Sequence, residues 1–154
     1  MKFAYRAHIG LAPETGESQI ILRPEVLVQI AGPNRSEAFL GLVDSGADNT
    51  VLPTSIADRL GIQLRPAQGP SGIAFGGHEL VFQVGQVEFE LSDDQTTWTW
   101  KTEVLFHQFE DAQDETLILG HAGFLDFFRT LLDPEQAAVE LTPNGLFPSN
   151  TDHE

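Results

Sequence analysis

From Glu25 onward the side chains alternate: Val26, Val28 and Ile30 fall on one side, and Glu25, Leu27 and Gln29 on the other. Successive side chains of an extended strand point to opposite faces, so this pattern predicts a strand with one buried face. Gly32-Pro33-Asn34-Arg35-Ser36 follows as a turn sequence, and Glu37 to Val43 returns as the partner strand. This hairpin constrains the fold more than any other stretch, because its far end delivers Leu42-Val43-Asp44-Ser45-Gly46-Ala47-Asp48-Asn49-Thr50-Val51-Leu52-Pro53. Apolar runs on both sides bury the shoulders of that acidic turn, which places Asp44 on a packed scaffold. Ser45 can bond to local backbone, and Gly46 permits a positive φ or the close approach of another chain. Asp-Ser-Gly is also ordinary turn chemistry, and the tripeptide by itself does not separate the two readings.

The chain has 154 residues and 41% hydrophobic content, which suits one domain spanning 1–154, with a core from about 25 to 141 and a polar, fraying tail from 143 to 154. Its 23 acidic residues against 8 basic ones give a net charge of −15. No basic stripe exists to neutralise phosphates, so nucleic acid is excluded as a partner, and an anionic membrane surface with it. The absence of cysteine removes disulfides, thiolate chemistry and Cys-ligated zinc. The first residues lack the apolar run of a signal peptide and no stretch approaches membrane-spanning length, so a soluble, cytoplasmic protein is expected.

Fourteen Gly and nine Pro separate short apolar runs, the pattern of an all-β chain. Phe3 to Ile9 suggests a first strand and Gln19 to Leu22 a second. Thr54 to Leu60 suggests a short helix capped by Thr54 or Ser55, with Gly61 past its end. Gly-rich Pro66 to Gly77 suggests a hairpin tip. Trp98, Trp100, Val104 and Phe106 share one face of a strand. Leu117-Ile118-Leu119-Gly120 is apolar on both faces, as a buried central strand is. His121 to Asp126 suggests a brief helix, followed by strands over Phe127–Leu132 and Ala137–Leu141.

Three of these features stand in a recognisable order: Asp44-Ser45-Gly46-Ala47 with Thr50, the Gly-rich hairpin around Gly72 to Gly77, and Ile118-Leu119-Gly120 before a short helix. This order resembles that of the retropepsin-like aspartic proteases, single-domain relatives of pepsin and the retroviral proteases, over about Glu25 to Leu141. The resemblance implies an all-β closed barrel or sandwich of short strands with one or two short helices and a flap hairpin. It implies an aspartic endopeptidase with Asp44 as the catalytic residue. Ser45, Gly46, Ala47 and Thr50 would form the active-site loop, Ser45 bonding across a dimer. Asp48 would contact substrate with Ala47, and Ile73, Ala74, Phe75 and Gly76 would belong to the substrate-covering flap. Ile118, Leu119 and Gly120 would support the loop from beneath.

Carboxylate-driven peptide hydrolysis needs two carboxyls close enough to share one proton. One activates water and the other donates to the developing oxyanion. The chain has a single Asp-Ser-Gly, so the pair requires a homodimer with both Asp44 side chains at its two-fold axis. Retroviral members usually place Arg after the apolar-apolar-Gly element, paired with the Asp matching Asp48; here His121 stands there and could pair only when protonated. The Ala137–Leu141 strand is then a candidate for the dimer contact. The five histidines have no metal-ligand spacing, and no metal or cofactor is expected. The partners expected are a second copy and a peptide or protein substrate. A peptide-binding module that does not cleave is the alternative.

Overall fold

In the computed structural model, which describes residues 1–69, 72–73 and 79–148, the N-terminal segment forms two strands where the sequence suggested one. These are β1 (Lys2–Ala4) and β2 (Arg6–Leu11). The break falls at Tyr5, whose amide donates to the carbonyl of Ala137 at 2.7 Å. That bond ties β1 to the body of the protein, while β2 departs to pair only with β3 (Ser18–Arg23).

The hairpin read from the alternation is present as β4 (Glu25–Ala31) and β5 (Ser36–Val43), in register from Glu25 opposite Leu42 to Ala31 opposite Ser36. Val26, Val28 and Ile30 are all buried, as the period of two requires. β6 (Val51–Pro53) runs directly into α1 (Thr54–Leu60). Gly61 ends this helix in the left-handed region at φ 74°. The expected side-chain cap is not formed: Pro53 occupies that position, Thr54 is already helical, and the Ser55 hydroxyl donates instead to the Glu115 carboxylate at 2.9 Å.

Beyond α1 lie β7 (Arg65–Pro66), β8 (Gly72–Ile73), β9 (Glu79–Leu80), β10 (Gln83–Ser92), β11 (Thr97–His107), β12 (Ile118–Leu119), β13 (Phe128–Asp133) and β14 (Ala138–Pro143). Strands β11, β6, β12, β5, β4 and β10 pair in that order, and β10 pairs back onto β11, so six strands close into a barrel. The protein is therefore all-β, with closure removing the exposed edges an open sheet would carry. At the β10–β11 turn, Asp93 accepts the amides of Gln95 and Thr96, which hold its carboxyl below the ordinary carboxylate value.

The barrel interior is filled by Trp100, Phe89, Phe106, Phe124 and aliphatic side chains from every wall. Trp100 stands at its centre, its ring near Phe89, Phe124 and Phe128, with its indole N–H donating to Gly123 O at 3.1 Å. The polar atom is thereby satisfied inside an apolar core.

A second sheet has the order β1-β14-β13. β14 is flanked on both sides, so it offers no free edge for the dimer contact the sequence suggested; among the described residues the edges belong to β1 and β13. The expected fraying from residue 143 is also corrected. Phe147 packs against Trp100 and Phe128, at 5.6 and 5.5 Å between ring centres, because that aromatic cluster lacks a cover on this side. Residues 149–154 lie outside the described part. The brief helix expected over His121–Asp126 is a single 3-10 turn at Leu125–Phe127, entered through turn residues and an isolated bridge from Ala122 to Asn49.

Candidate active site

β5 ends at Val43 and β6 begins at Val51, so residues 44–50 form a loop at one end of the barrel. Beneath it β12 inserts between the two strands, parallel to β5 and antiparallel to β6. The parallel pairing carries the Asp44 amide to Leu119 O at 3.1 Å. The chain then continues under the loop and bonds it repeatedly. The His121 amide donates to Ala47 O, the Ala122 amide to Asp48 O, and the Thr50 amide to Ala122 O, all at 2.9–3.0 Å. The segment from Leu119 to Ala122 thus lies under the loop and is hydrogen-bonded to it.

Gly120 is required by this crossing. A Cβ there would lie 2.2 Å from Asn49 O and 2.7 Å from Ala47 O, closer than any side chain tolerates. Thr50 is fully buried, and its hydroxyl donates to Gly120 O at 3.4 Å. Its one polar side-chain atom is therefore partnered within an apolar surround.

Asp44 is half-buried, and its Oδ1 accepts the Gly46 amide at 2.9 Å. The carboxylate is held in a local turn by its own loop, and the Ala47 amide closes the same turn onto Asp44 O at 3.2 Å. Gly46 is not in the left-handed region; a Cβ there would meet only Asp44 Oδ1, at 3.3 Å. Its contribution is an unencumbered amide beside the carboxylate. Ser45, Gly46 and Asp48 are exposed.

His121 departs from the expected pairing. Its Nε2 lies 3.1 Å from Ser45 O and its Nδ1 3.4 Å from Asp126 Oδ1. A carbonyl only accepts, so Nε2 carries the hydrogen, and the second contact is completed when Nδ1 carries one as well. The imidazole clasps the loop of residues 44–50 from its Ser45 carbonyl, whereas the sequence offered Asp48 as the partner of a protonated His121. The tight turn from Gly120 into the 3-10 segment aims the ring back at Ser45 and puts Asp126 beside it. Asp126 is the site residue that sequence reasoning missed, since only the unforeseen shape of that turn joins the two.

Val43, Ser45, His121, Phe128, Thr130 and Leu132 line a largely apolar cavity of about 440 Å³ next to the loop. A larger one, about 590 Å³, opens between Leu80–Val81 and Phe106–Glu110 and is not lined by Asp44. β8 pairs with β9, Ile73 opposite Glu79. Ala74, Phe75 and Gly76, the remaining flap residues named from the sequence, lie outside the described residues. No cluster of metal-ligating side chains occurs among the described residues, and no described helix is long and apolar enough to cross a membrane.

No family model and no curated protein matches the chain. Among solved structures, it is similar to the EIAV protease complexed with the inhibitor HBY-793, at 26% identity over 64% of this chain and 82% of that one, with a TM-score of 0.49.

Proposed function

We propose that this protein is an aspartic endopeptidase that works as a homodimer, with one Asp44 from each copy forming the catalytic pair. The observation that carries the reading is the setting of Asp44. It sits at the end of a barrel strand, its carboxylate is pinned by the Gly46 amide, and its loop is laced from below by the Leu119–Ala122 segment. Such a loop presents a carboxyl at a defined place with little reorganisation, which is what positioned acid-base chemistry needs.

Two carboxyls facing each other across a two-fold axis share one proton, because both cannot ionise at such separation. The ionised Asp44 takes a proton from water as the water's oxygen attacks the scissile carbonyl carbon. The protonated Asp44 donates to the oxyanion that develops and the proton then passes to the leaving amine. The pair titrates as a unit. Ser45 and Gly46, exposed at the loop, meet their counterparts and the substrate backbone, and Ala47 and Asp48 flank the peptide.

Incubation with a mixed peptide library, with and without a statine-type inhibitor, tests the reading. Cleavage that the inhibitor blocks is expected; binding of intact peptides without cleavage overturns it.

A further inference from the structure

Among the described residues the β2–β3 hairpin pairs with no other strand, and one of its faces is apolar and bare. Cross-strand partners share a face, and the register sets Ile9 opposite Ile20 and Ala7 opposite Leu22, with Leu11 on the same side. Ile9 is 85% exposed, Ile20 74%, Leu11 67% and Leu22 50%. The opposite face is partly self-covered: Ile21 lies across Gly10, and His8 meets the Glu25 carboxylate at 2.7 Å. A lone two-stranded hairpin is marginal in water, and solvent contact over four large aliphatic side chains makes it more so.

The position of the hairpin identifies what covers it. β3 ends at Arg23, and the carbonyl of the next residue, Pro24, accepts the amide of Val43 at 2.8 Å. The arm is therefore rooted one residue from Asp44, at the place a second copy must occupy if two Asp44 carboxyls are to meet. Arg6 and Arg23 stand directly opposite each other on the other face of the hairpin, beside His8, and leave the Ile9–Leu11–Ile20–Leu22 face wholly uncharged.

We infer that the β2–β3 hairpin is a dimerisation arm, which lays its Ile9–Leu11–Ile20–Leu22 face on a second copy of this chain and so holds the two Asp44 loops together. This rests on the catalytic-pair reading for the position of the two-fold axis, and it makes the active site dependent on a segment that contributes no catalytic atom. The apolar face supplies the adhesion.

The test is Ile9→Glu/Ile20→Glu, followed by sedimentation at high salt and by peptide cleavage across protein concentration. The expected result is a dimer dissociation constant raised at least about 100-fold, the scale of losing two buried aliphatic anchors. Cleavage would fall in step and recover as protein concentration rises. A variant that keeps the native Trp fluorescence and dimerises like the unmodified chain overturns the inference.

A second measurement does not depend on that variant folding. Ser18→Cys introduces a unique thiol into a cysteine-free chain, at the arm's edge. A photo-crosslinker attached there is expected to give a covalent dimer, with the crosslink mapping to the other copy; a purely intrachain product overturns the inference. The two proposals fail separately. If the arm variant is monomeric and the unmodified dimer cleaves nothing, the arm stands and the endopeptidase reading falls. If cleavage occurs and the arm variant still dimerises, the reverse holds.

Discussion

His121 reaches back 76 residues to Ser45, its Nε2 donating to the carbonyl next to Asp44 at 3.1 Å. Removing the ring frees one edge of the loop that carries Asp44 without touching the barrel core. His121→Ala is expected to lower kcat/KM about 5- to 10-fold, the scale of one lost hydrogen bond. The melting temperature should move little. His121→Gln, whose amide can donate to the same carbonyl, should recover most of the activity. Steady-state kinetics beside thermal melts of the three proteins check this.

Asp44→Asn preserves an oxygen that can accept the Gly46 amide and removes the ionisable group. The variant should fold and melt like the parent, and peptide cleavage should drop by about 10³-fold or more, as expected for loss of positioned acid-base catalysis. Circular dichroism and a chromogenic peptide assay decide it together.

Gly120→Ala asks a different question. The added methyl would meet backbone carbonyls of Asn49 and Ala47, which cannot swing aside as a side chain can. A stability loss of about 1–3 kcal/mol is expected from such overpacking. Thr50→Val, which removes only a long hydroxyl contact to a carbonyl already accepting the Leu125 amide, should cost about 1 kcal/mol or less. Urea unfolding of both variants measures the order; a reversal would show that the crossing is held by the hydroxyl and not by the close backbone approach.

A dimer of chains each carrying −15 repels itself. Its dissociation constant should fall with added salt and with mild acidification, which screen or neutralise carboxylates. Sedimentation at two pH values and two salt concentrations measures this; a dimer fraction constant across all four would dismiss the electrostatic argument.

The barrel hairpin β4–β5 and the apolar β12 were legible in the sequence because each is stated by local pattern: strict alternation in one case, a doubly apolar run in the other. Asp44 was singled out by its apolar shoulders, and Gly120 and Thr50 by the order of elements that carries the family resemblance. What escaped was set by tertiary geometry. Tyr5 divides the first strand because its amide finds Ala137, 132 positions away by the numbering 137 − 5, and nothing in the local sequence announces it. Pro53 displaced the expected Thr54 or Ser55 cap because β6 passes straight into α1, leaving no separate capping residue. Phe147 was assigned to a polar tail because its neighbours are polar, yet an aromatic cluster with one open side decides its place. Asp126 joined the site only through the shape of a turn.

The parallel pairing of β5 with β12 also has a kinetic meaning. Leu42 and Val43 meet Ile118 and Leu119 only after a long intervening chain has been looped and the barrel closed, and such non-local pairings form slowly. The loop that holds Asp44 has no support until then. In a nascent or partly folded chain the Asp44 carboxyl consequently has no fixed direction. Trp100, whose indole binds Gly123 just beyond the crossing, reports the moment of closure. In refolding, the burial of that one indole should precede or coincide with the first appearance of activity.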